Sequence, residues 1–210
     1  MRGLSNIGIL TIALSAVMAC GRSNSELQRQ LAVLQDLGID LNPGVTTTDV
    51  LELEELKYFQ NEKPYVRLYI ALSGNLGREP GTSLTDHLWF LDTECIEGPG
   101  AYIGIMRELE RLSRGELSFS NVKDSVDIRG QRGWVEFTFR DDRIHWDLEV
   151  ESDWVDSSVF TRTVALANTV RTKGNFTYFD AGGQTAVIGY ETEGALKKIN
   201  DATGLGIIKL

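Results

Sequence analysis

Only two cysteines, two histidines and four prolines occur in 210 residues, and each shortage removes a class of protein. Two cysteines are too few for a disulfide scaffold, and a multi-histidine zinc site would need both His87 and His145. No cluster of Lys or Arg is present, and 21 basic residues against 30 acidic ones leave a net charge of −9. A protein that neutralises phosphates needs a basic face, so no nucleic-acid partner is expected. Walker loops, G-x-G-x-x-G, G-x-S-x-G and H-E-x-x-H are all missing, which removes the simplest warrants for nucleotide, dinucleotide, serine-hydrolase and zincin chemistry. Neither a cofactor nor a metal is expected. The 42% of hydrophobic residues exclude a disordered chain and suit a globular protein of one domain, or at most two small ones.

The longest apolar run, Ile7 to Ala19, is well short of the roughly 20 residues that span a bilayer, and polar sequence follows it. Arg2 and the α-amino group make it a signal segment with a positive start and small residues before Cys20. The ending Val17-Met18-Ala19-Cys20 resembles the lipobox of bacterial lipoproteins. That resemblance implies a signal peptide over 1–19, cleavage before Cys20, a lipid thioether on Cys20 with further acylation such as palmitate, and a short tether over 20–24. Two or more chains make a stable anchor. With Gly21 after the cysteine, it further implies the periplasmic side of the cell envelope, outer membrane favoured. A start at Met18 is the alternative and would leave a cytoplasmic protein. Cleavage would remove one basic residue and no acidic one, moving the net charge to −10.

Periodicity predicts helices over Ser25 to Leu37, with Ser25 and Gln28 as a capping box, over a short segment capped by Thr46 and Asp49, and over the stretch carrying Tyr102, Ile105, Met106, Leu109 and Leu112. Two further helices are expected from Asp156 or Ser157 to about Thr172, closed by Gly174, and from Thr192 to Ala202. Alternation predicts strands over Tyr65 to Leu72, His87 to Leu91, Trp134 to Phe139 and Ile144 to Val150, the last two joined by a turn over Arg140 to Arg143. A hairpin of Phe176 to Phe179 with Thr185 to Tyr190 and an edge strand over Leu205 to Leu210 complete the pattern. Residues 75–86 read as a loop. Helices alternate with hairpins without a βαβ repeat, so the class is α+β, a mainly antiparallel sheet with packed helices in a single domain over 25–210.

One candidate surface stands out. Glu136, His145, Asp147, Glu149 and Glu151 fall on the polar side of the central hairpin, with Asp153, Trp154 and Asp156 just beyond. Strand geometry spaces neighbours on one face about 7 Å apart, close enough to shift each other's carboxyl titration. An exposed sheet face is polar in any case and its charges discourage edge-to-edge pairing, so a simple solvated face is one reading. The reading adopted is a partner-binding face on a non-enzymatic, membrane-anchored protein, with Trp154 the best exposed aromatic and a basic partner suited to the acidic face. An immunity-type protein neutralising a basic toxin is an alternative. Another is an enzyme using His145 with Asp147 or Glu149. Asp92, Glu94 and Cys95, with His87 at the other end of the same strand, form a second cluster; Cys95 is expected to be a buried hydrophobe, and Trp89 and Trp146 core residues.

Overall fold

A computed structural model describes residues 25–53, 56, 63–75 and 82–210. The signal segment, Cys20, the tether and part of the expected loop, 76–81, lie outside the described residues. The fold is α+β, with a four-stranded and a three-stranded sheet, both antiparallel. Helix α1 covers residues 25–36, with Ser25 already helical and not at its cap. It closes on Gly38 at φ 94°, where the Ile39 N–H donates to Leu34 O and the Gly38 N–H to Gln35 O. That pair of bonds satisfies carbonyls a helix end would otherwise leave open. Helix α2 (Thr47–Leu51) carries the expected reciprocal cap between Thr46 and Asp49.

Residues 65–72 correct the expectation: they form helix α3 (Val66–Leu72) and not a strand. Five consecutive residues, Leu68 to Leu72, are buried, and the Tyr69 ring meets Phe179 edge-on at 5.4 Å. A helix enclosed on all sides has no polar face, so its 3.6-residue period leaves no trace and a short apolar run reads equally as strand.

The remaining elements are β1 (Leu88–Asp92), α4 (Ala101–Leu112), β2 (Phe119–Asp127), β3 (Arg132–Phe139), β4 (Asp142–Glu149), α5 (Ser158–Val170), β5 (Asn175–Gly182), β6 (Thr185–Glu191), α6 (Glu193–Thr203) and β7 (Ile208–Lys209). All five apolar residues expected on the inner side of α4 are buried. The β3–β4 turn is tighter than expected, because Phe139 already pairs with Asp142. Helix α5 ends on Arg171, at φ 55°, before reaching Gly174. Gly174 has a different role: a Cβ there would fall 2.1 Å from the ring of Tyr190, which is buried against Phe176.

The four-stranded sheet, ordered β1-β6-β5-β7, is covered on both faces. Alternation along its strands sends Leu88, Phe90, Phe179 and Val187 toward α1, α3 and α6, and sends Trp89, Leu91, Phe176 and Ile188 toward α4, α5 and the three-stranded sheet β2-β3-β4. Two hydrophobic clusters thus share one sheet. Arg111 on α4 ties the layers together, donating to the Thr85 and Leu88 carbonyls and to Asp86 and Glu108.

Candidate functional site

The three-stranded sheet turns Val135, Phe137, Phe139, Trp146 and Leu148 inward, and the pairing of Glu136 with His145 and of Trp134 with Asp147 places the alternate set outward. Glu136, His145, Asp147 and Glu149 therefore share the outer face, as expected. His145 lies between two carboxylates, its Nδ1 3.6 Å from Glu136 Oε2 and its Nε2 3.4 Å from Asp147 Oδ1. Trp134 stacks on the His145 ring, 5.3 Å between centroids and tilted by 32°.

The face is less acidic than those four residues alone suggest. Arg143 donates to Glu136 Oε2 at 2.6 Å, Arg132 pairs across from Glu149, and Lys123 on β2 pairs across from Glu136. The guanidinium of Arg143, then the His145 ring, hold the Glu136 carboxyl below the usual glutamate range. Arg132 and Arg143 alternate with the acids on β3 and β4 and are legible in the strand pattern, whereas Lys123 reaches this face only through the pairing of β2 with β3. Trp134 was legible for the same reason, since it alternates with buried Val135.

Asp147 is 95% exposed and His145 45% exposed at the side chain, so water surrounds the pair. Neither of the two described cavities is lined by a residue of this face. No three of the described His, Cys, Asp or Glu side chains come together to hold a metal ion.

The other expected residues go elsewhere. Asp156 is committed to backbone: its two oxygens accept from the N–H groups of Glu149 and Ser158, and its own N–H donates to the Tyr102 hydroxyl. Glu151 and Trp154 face each other across a tight turn with Ser152 at φ 58°. Backbone bonds from Ile96 N–H to Asp153 O and from Val155 N–H to Thr93 O hold that turn against the end of β1. Trp154, 43% exposed, stands there over an apolar pocket of about 320 Å³ floored by Leu91, Tyr178 and Ile188 and walled by Val155, Phe160 and Leu210. Nothing in the sequence pattern brings Leu210 beside Phe160; only the packing of β7 and α5 on one sheet does.

Cys95 is half-buried against the main cluster, and burial together with nearby Asp92 pushes its thiol pKa up, away from the thiolate a nucleophile needs. His87 is no base for it. His87 bonds Glu191 Oε1 at 2.7 Å beyond the opposite end of β1, a strand about 17 Å long. Trp89 and Trp146 pack against the core. Unforeseen was Asp124, whose carboxylate accepts from the N–H groups of Gly100, Tyr102 and Ile103 and so caps α4 from a neighbouring strand. No family model, curated protein or solved structure matches the chain.

Proposed function

We propose that this is a membrane-anchored bacterial lipoprotein, acylated at Cys20 and held on the periplasmic side of the envelope, whose α+β domain binds another protein through the outer face of β2-β3-β4 and catalyses no reaction. The anchor rests on the Val17-Met18-Ala19-Cys20 sequence. The binding role rests on one observation, the Trp134–His145 stack set among Lys123, Arg132, Glu136, Arg143 and Asp147 on the outward side of a sheet. An aromatic centre with a charged rim is the anatomy of a protein interface. Interleaved charges of both signs suit a partner with a complementary pattern, which favours specificity and register over bulk attraction.

Two measurements test this. Metabolic labelling with a palmitate analogue is expected in the wild-type chain and lost in Cys20→Ser; equal labelling in both, or in neither, removes the anchor. A photo-crosslinking residue placed at Asp147 in cells is expected to yield a discrete adduct that Arg132→Glu abolishes. The same residue at Lys197 on α6 should yield none. Absence of the first adduct, or the same adduct from both positions, removes the binding face.

A further inference from the structure

The pocket under Trp154 has a chemistry of its own. Its volume of about 320 Å³ holds about ten water-sized groups at ~30 Å³ each, the scale of one large side chain. Its floor and walls are apolar, so expelling water from it favours an apolar occupant. The lip is fixed, because the turn carrying Trp154 is bonded by its backbone to the end of β1, and an exposed tryptophan on a rigid support is the residue type that dominates interface energetics.

Charge then narrows the occupant. Trp154 is flanked by Asp153 and paired with Glu151 across the turn, whereas Asp92 alternates with Leu91 and leaves β1 on the other side of the sheet, and Glu94 accepts from Gln184. The two cations adjacent in sequence to lining residues are engaged elsewhere. Arg162 donates to the Asp147 carbonyl at 3.0 Å, and Lys209 pairs with Glu193 at 3.4 Å. An uncharged pit with two acids on the turn that forms its lip attracts cations around whatever fills it and repels acidic segments.

We infer that this pocket is an anchor site for one apolar side chain, aromatic or branched aliphatic, carried on a basic segment of a partner protein. It is separate from the hairpin face and uses none of the residues on which that reading rests. Titration of the nitrogen-15-labelled full chain with a blocked peptide of one Phe flanked by two Lys on each side tests it. Saturable shifts are expected at Thr93, Val155, Phe160, Tyr178 and Ile188. Affinity should drop at least tenfold in Trp154→Ala, be retained in Trp154→Phe, and fall severalfold both in Glu151→Gln with Asp153→Asn and on adding salt. An amide spectrum otherwise unchanged in each variant separates lost binding from lost fold.

Four results overturn the inference: no saturable shift; equal binding with Ser in place of Phe, which leaves only a charge effect; equal binding of the Glu-flanked peptide or of n-octanol, which makes the pocket a site for small lipophiles; or self-association of the chain that Trp154→Ala abolishes, which assigns the pocket to a second copy. Crosslinking from Asp147 is unaffected by any of these, so the two sites stand or fall separately.

Discussion

The pairing of Glu136 with Arg143 is a contact between an acid and a base seven positions apart in sequence, brought side by side by a two-residue turn. The Glu136 side chain is 15% exposed and that of Arg143 77%, so the bond forms at the edge of the stack and not within a cavity. Because the folded carboxyl is held below its ordinary value, the stability it contributes is full above the unfolded glutamate pKa and disappears as pH falls through the folded one. Arg143→Ala is therefore expected to be less stable than wild type at neutral pH and to converge with it in acid. Urea unfolding at a series of pH values reads this. Carbon-13 NMR of the Glu136 carboxyl should show its titration moving up in the variant; an unmoved midpoint refutes the pairing.

Between elements, the clearest dependence is that of α4 on β2. The Gly98-Pro99-Gly100 sequence before the helix offers no side-chain oxygen at the cap, and Gly100 at φ 100° leaves the first N–H groups aimed outward. Asp124 supplies the missing acceptor and places a negative charge at the positive end of the helix. Asp124→Ala is expected to cost about 2 kcal/mol, at the upper end for a lost cap because several donors lose their acceptor at once. Asp124→Asn, which keeps one oxygen, should cost less. Chemical denaturation followed by far-UV circular dichroism measures both, and equal stability of all three chains would deny the cap. Element existence was mostly legible: the five-residue apolar stripe of α4, the Thr46 and Thr192 caps and the alternation of β3 with β4 are local patterns that the structure repeats. Helix α3 was not, because burial on all sides erased the periodicity that separates helix from strand.

Across the whole molecule, one sheet separates two hydrophobic clusters, and adjacent residues of β6 serve opposite ones, Val187 and Ile188. Damage to one cluster should therefore be felt in the other. Leu31→Ala, in α1, removes a side chain 1% exposed in the helical cluster and is expected to cost 2–5 kcal/mol, as is usual for such a buried deletion. Tryptophans 89 and 146 pack in the opposite cluster, so their fluorescence reports on the far side of the sheet. Fluorescence and circular dichroism should shift together to the same lower midpoint. A fluorescence transition that stays in place while ellipticity shifts would mean that the two sides unfold independently.

By itself, the sequence determined the class of fold, the existence of most elements and which residues of the β3–β4 hairpin face outward, because these follow from short-range periodicity and capping chemistry. The acids of the hairpin face, with Arg132 and Arg143, belong to that legible part; Lys123, brought in on β2, does not. Only the tertiary structure decided that Asp156 and Asp124 are spent on backbone N–H groups, that Gly174 makes room for a ring sixteen positions away, and that Trp154 stands over a pocket shared by β1, β5, β6, α5 and the residue after β7. Each depends on groups far apart in the chain meeting in space, and no local pattern encodes such a meeting.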